Sequence, residues 1–152
     1  MMDFLELVKK SRSYRRFHQE KPVKRAHLLK MVEAARRRGY EYLGVTNHSP
    51  QVTIARGIPS SVLLEQIEEI DRMNERYPDI TILKSSEVDI LKDGSLDYPA
   101  EVLKYLDFTV CSIHYHQHLS REKQTERVLR AMENPYFTIF GHPTGRLINE
   151  RE

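Results

Sequence analysis

A chain of 152 residues is long enough for one domain with a real core and too short for two comfortable ones. Apolar residues make up 39% but never run to the roughly 18 positions a membrane span needs, so no spanning helix is expected. The single cysteine, Cys111, excludes an intramolecular disulfide and points to a cytoplasmic protein, and the start MMDFLELVKK, with acids at Asp3 and Glu6 and no long apolar run, leads us to expect no signal peptide. The net charge of +2 is unevenly spread: residues 1–40 hold twelve Lys/Arg against four Asp/Glu, and residues 41–152 hold twelve against eighteen. Such an asymmetry suits a basic arm that meets phosphates or nucleic acid, and equally a solvated helical face.

Taken in chain order, Asp3 caps a short helix whose Phe4, Leu5, Leu7 and Val8 form one apolar face. A basic loop follows up to Pro22. A second helix starts near Lys24, places Leu28, Met31, Val32 and Ala35 at helical spacing, and stops on Arg36, Arg37, Arg38 and Gly39. Beyond it strands and helices alternate. YEYLGVT is a strand ending at Asn47-His48, and Pro59 to Tyr77 is an amphipathic helix burying Leu63, Leu64, Ile67, Ile70 and Met73. ITIL is a strand that continues as SEVDIL into the turn Lys92-Asp93-Gly94-Ser95. Tyr98 to Tyr105 is a short helix, DFTVCSI a strand ending at His114, Ser120 to Met132 a helix, and YFTIFG a strand ending at His142-Pro143. This alternation predicts a parallel α/β sheet or barrel segment.

Four apolar segments lead into a ligand-type residue: His48, Glu87, His114 and His142. In parallel α/β folds the carboxyl ends of the strands share one side and sites form there, so residues distant in sequence would converge. Three imidazoles and a carboxylate suit zinc, manganese or iron. A cation so held activates water and neutralises phosphoryl charge. Arg146 follows closely enough to meet a substrate phosphate at the same rim, or to form a surface ion pair. Cys111, inside an apolar strand, reads as core packing, and the HYHQH run at 114–118 also reads as a nonspecific metal-scavenging patch.

The strings GYEYLGVTNHSP, LLEQIEEIDRMNERYPDI, SEVDILKDGSLDYP, SIH, SREKQTERVLRAMENP and FGHPTGRL resemble, in order, the PHP (polymerase and histidinol phosphatase) domain of bacterial family X DNA polymerases. The resemblance runs from about Met31 to Leu147. It implies a partial βα barrel of parallel strands alternating with helices, preceded here by two N-terminal helices. It also implies metal-dependent phosphoester hydrolysis of phosphatase or 3′-end exonuclease type. By position, His48, Glu87, His114 and His142 match metal ligands, Glu87 being the bridging carboxylate, and Glu87, His114 and His142 together match one complete metal position. His116 falls near the substrate in that family. Asn47 stands where the family has aspartate, and the family's opening His-x-His and closing Asp-x-His have no counterpart, so the resemblance leaves one metal position short of most of its ligands.

MDFLELVKKSRSYRRFHQEKPVKRAHLLKMVEAAR is similar instead to the opening of nitroreductase-like flavoproteins, whose Arg-Arg-Ser-x-Arg contacts the FMN phosphate. Arg12, Ser13 and Arg15 match and Ser11 replaces the first arginine; the rest of a flavin pocket is missing, so FMN is not expected. The chain therefore divides into a basic helical arm, 1–30, and a truncated PHP-like domain, 31–152, with MVEAARRRGY, which suits both families, as the expected crossover point of a natural fusion, a misassembled reading frame or a designed chimera. Three functions follow. The first is a hydrolase acting on a phosphoester through Glu87, His114, His142 and Arg146. The second is a polyanion-binding or nucleic-acid-binding module using Arg12, Arg15, Arg16, Lys21, Lys24 and Arg25. The third is a folded composite without evolved activity, whose uncovered sheet edges would favour a homo-oligomer.

Overall fold

The computed structural model describes residues 25–143, with side chains from residue 29 onward. Residues 1–24, which hold most of the basic arm and of the flavoprotein-like segment, and Arg146 lie outside the described residues. The chain separates into two units, Met1–Ala34 and Ala35–Glu152, and helix α1 (Arg25–Arg37) runs across the division. Gly39, at φ +73°, ends α1: the amides of Arg38 and Tyr40 close onto the Ala35 carbonyl and that of Gly39 onto Arg36. The predicted stop is therefore where the helix stops.

The second unit is a parallel sheet with helical crossovers. Its elements are β1 (Tyr42–His48), a 3-10 turn (Thr53–Ala55), α2 (Ser60–Arg76), β2 (Thr81–Asp89), α3 (Ala100–Leu103), β3 (Phe108–Ser112), α4 (Arg121–Met132) and β4 (Ile139–Phe140). All neighbours pair in parallel in the order β1-β2-β3-β4, giving an open α/β sheet, as a partial barrel should. The pairs His48↔Glu87 and Asp89↔Ser112 set the register that matters for the site.

Each element has a local cause. In α2 the predicted face is buried at Leu63, Ile67, Ile70 and Met73, while Leu64 is half-buried. Burying such side chains contributes about 1.5–3 kcal/mol each before the cost of ordering them. Asn74 then fixes β2 against α2, its side chain donating to the Ile82 carbonyl (3.0 Å) and accepting from the Ile82 amide (2.7 Å). The two segments ITIL and SEVDIL form one unbroken strand, and Ile90 goes on to bridge Leu96 beyond it. Ser120 caps α4, accepting from the Lys123 amide. The core joins Leu63 and Ile67 of α2 to Val88, Ile90, Leu96, Tyr98, Val102, Leu103, Cys111 and Ala131. Cys111 is fully buried and burial pushes its thiol pKa up, which is the packing role expected of it. Two elements are shorter than their pattern: α3 spans four residues and β4 pairs through two. No helix among the described residues is long and apolar enough to cross a membrane.

Candidate metal centre

Parallel pairing puts the carboxyl ends of all four strands on one rim, and the ligand-type residues meet there. His48 is the last residue of β1 and lies beside Glu87 of β2 by register. His114 stands two residues past β3, and His142 two past β4. Glu87 is their common focus. Its Oε1 lies 3.2 Å from His114 Nε2 and 3.0 Å from His142 Nε2, and its Oε2 lies 3.8 Å from His48 Nε2. Ligand atoms of His48, Glu87 and His114 all fall within 4.8 Å of one another. The rings of His48 and His142 each stand edge-on to His114, with centroids 5.2 Å apart. All four residues meet around Glu87, but the mutually close set is His48, Glu87 and His114, whereas the resemblance grouped Glu87, His114 and His142; His142 reaches the cluster through Glu87 Oε1.

The surroundings explain this geometry. The Ser49 amide donates to the Glu87 carbonyl (3.0 Å), and the buried Ser49 hydroxyl accepts from the Asp89 amide (2.9 Å). The loop after β1 is thereby stitched along the end of β2. The Ile58 amide closes that loop onto the His48 carbonyl (2.9 Å), while Asp97 accepts the Gln51 amide (2.7 Å). Gly57 permits the closure, because a Cβ there would sit 1.8 Å from the Ser49 oxygen. His142 takes a φ of +29°, a backbone state that costs an L-residue energy and is retained where surroundings demand it.

Asp89 was not anticipated. Its carboxylate is 1% exposed and Oδ1 lies 2.9 Å from His114 Nδ1 while accepting the His114 amide at 3.1 Å. A proton on Nδ1 shared with Asp89 leaves the Nε2 lone pair facing Glu87, the tautomer a metal ligand requires. The signal was present in SEVDIL: Asp89 is two residues beyond Glu87, so both project from one face of β2. Asn47, by contrast, bonds Gln66 of α2 through its amide, and the buried His48 Nδ1 has no hydrogen-bond partner among the described residues. The asparagine does not supply the orienting contact its position suggests. His116 and His118 are exposed, and His116 has a φ of +58°.

Electrostatics agree with the donor set. Burial pushes the Glu87 carboxyl up, but the Ser112 hydroxyl, the His142 bond and the His48 and His114 charges outweigh it, so the pKa falls below its ordinary 4.5. The bond to Asp89 raises the His114 pKa above 6.5 despite opposing burial, with the Asp89 and Glu87 charges acting in the same sense. One ionised carboxylate ringed by imidazole nitrogens, one of them backed by a second carboxylate, fits a divalent transition cation.

The fold and this rim define an open parallel α/β domain with a histidine–glutamate cluster at its strand ends. No family model matches the chain. It is similar to the DNA polymerase/3′-5′ exonuclease PolX of Bacillus subtilis, with 39% identity over 121 residues, covering 80% of this chain and 21% of that protein. It is also similar to a probable phosphatase of Thermoanaerobacter sp., 30% identical over 72% of this chain and 44% of the relative. A probable phosphatase of Acetivibrio thermocellus is 31% identical over 74% and 46% respectively. The chain is thus homologous to a family X DNA polymerase and to probable phosphatases, consistent with a PHP-type domain. It spans less than half the length of these relatives.

Proposed function

We propose that residues 31–152 form a metal-dependent phosphoesterase centre of PHP type, in which Glu87, His114 and His142, with His48, hold a divalent cation. The observation that carries the reading is the meeting of three imidazole Nε2 atoms on the two oxygens of Glu87. A bound divalent cation such as zinc, manganese or iron would supply Lewis acidity, lowering the pKa of water and offsetting phosphoryl charge. The chain's own residues do the positioning. Glu87 contributes the negative charge that attracts the cation, His114 is aimed by Asp89, and His142 closes the rim from β4. Arg146 follows His142 closely in sequence and is assigned to the charge of the substrate phosphate. Names of the relatives support a phosphoester as substrate class, either a phosphate ester or a nucleic-acid 3′ end. The basic stretch 1–30 is assigned to polyanion contact.

Elemental analysis of protein purified without chelator tests the reading. Stoichiometric divalent metal is expected in the wild type and its loss in Glu87→Ala, together with phosphatase activity that His142→Ala abolishes. Wild-type protein that takes up no manganese or zinc, and that hydrolyses phosphoesters no faster than His142→Ala, would end it.

A further inference from the structure

Helix α4 carries a buried cation that belongs neither to the ligand set nor to an ordinary surface ion pair. Arg127 is 2% exposed, and its guanidinium is spent on backbone carbonyls. Nε donates to the Leu91 carbonyl (2.8 Å), Nη2 to that of Ile90, and Nη1 to that of Tyr115 (3.0 Å), with Gln124 Oε1 at 3.4 Å from Nη1. The placement of these carbonyls is specific. Ile90 follows Asp89 directly and Tyr115 follows His114 directly. One rigid, planar group therefore ties the chain just beyond Asp89 to the chain just beyond His114, the two partners of the bond that aims the His114 ring. The Ile90 amide, donating to the Ser112 carbonyl at 2.8 Å, extends the same connection between the ends of β2 and β3. Gln124 continues it by donating to the His116 carbonyl at 2.8 Å. Ordinary core packing asks for no such arrangement: burying an arginine is costly, and an apolar residue would fill the space without that cost.

We infer that Arg127 is a positioning residue of the metal centre, fixing the separation of Asp89 and His114 so that His114 Nε2 stays turned toward Glu87. This rests on reading the cluster as a metal site. It assigns a function to a residue that touches neither cation nor substrate.

The test uses the full chain and zinc as probe, with Arg127→Lys, which keeps the charge but loses the fork, and Arg127→Gln. Met73→Ala, at the end of α2 that leads to the start of β2, serves as a destabilised control. Zinc affinity should fall by about tenfold or more in both Arg127 variants, as outer contacts to a ligating histidine typically command. The control should remain within about twofold of wild type, since Met73 lies by the start of β2 and the Asp89–His114 pair at the other end of that strand. In metal-free protein the nitrogen NMR signals of the His114 ring should lose their Nδ1–H preference in the variants. Wild-type zinc affinity and unchanged His114 signals in Arg127→Lys would overturn the inference. Should wild-type protein bind no zinc, the metal reading fails, and the His114 signals of the metal-free variants alone decide the role of Arg127. If neither Arg127 variant folds, Gln124→Met, which removes one guanidinium contact and leaves the cation in place, carries the same comparison.

Discussion

Replacing Asp89 with asparagine isolates the charge in the Asp89–His114 contact. The amide keeps an oxygen where Oδ1 accepts from His114 Nδ1 (2.9 Å) and from the His114 amide (3.1 Å), so the geometry can survive. What disappears is charge assistance. Hydrogen bonds to charged groups are worth about 1.5–3 kcal/mol net against about 0.5–1.5 for neutral ones, a loss of about 1–1.5 kcal/mol. Since about 1.4 kcal/mol is tenfold in affinity, metal binding by Asp89→Asn should weaken by nearly one order of magnitude. Asp89→Ala removes the acceptor altogether and strands a half-buried His114 N–H, so it should also cost about 1–3 kcal/mol of folding stability and approach a hundredfold loss of affinity. Calorimetric titration of manganese or zinc into metal-free protein, beside urea unfolding of the same samples, measures both. Equal affinities for wild type, asparagine and alanine variants, all folded, would show that the buried carboxylate does not aim the ring.

Two further outcomes follow from the geometry. His114 has a raised native pKa, so its contribution to stability is complete below 6.5 and fades as pH rises through that native value; the lowered pKa of Glu87 makes its contribution complete above 4.5 and lost as pH falls. Both are complete together between 4.5 and 6.5, so the urea midpoint of metal-free protein should be higher in that window than at about pH 8, and saturating zinc should move the optimum upward because protons compete for His114; a metal-free midpoint that climbs steadily to about pH 8 would contradict this. Gly57→Ala forces a Cβ to 1.8 Å from the Ser49 oxygen and 2.6 Å from its carbonyl carbon, both backbone atoms that cannot swing aside, whereas Gly39→Ala meets nothing within 4 Å and strains only a φ of +73°. Urea titration should show a larger loss at Gly57, about 3 kcal/mol or more, than the roughly 1–2 kcal/mol of a left-handed alanine at Gly39, and equal losses would count against the described loop.

The legible parts of this protein are those decided by local pattern. Helix α2 could be read to within one residue at each end because its apolar positions repeat at helical spacing, and Gly39 stops α1 for a reason confined to one residue. Strand β4 could not, because YFTIFG has the composition of a strand while pairing depends on a neighbour; only Ile139 and Phe140 pair in register with β3. His48, Glu87, His114 and His142 were visible as a recurrent motif, an apolar run ending in histidine or glutamate, and they meet around Glu87. Asp89 was hidden in plain sight within SEVDIL, since nothing in one strand announces which carboxylate faces three imidazoles and which is bonded to a single ring. Arg127 was invisible: in REKQTERVLRAM it looks like one more solvated charge, and its burial is dictated by carbonyls as far as 37 positions away. Arg146 and the arm Arg12, Arg15 and Lys21 lie outside the described residues.

The connectivity of the sheet has a kinetic consequence. Every pair among the four described strands is parallel, so none of these pairs is joined by a hairpin, and Glu87 meets His142 only after 55 positions of chain have been looped together. Loop-closure entropy must be met before such distant contacts return anything, so the rim assembles late, after the strands that carry it. A divalent cation held by the finished rim would therefore act chiefly as a latch on escape: it would slow unfolding and leave the rate of folding nearly unchanged.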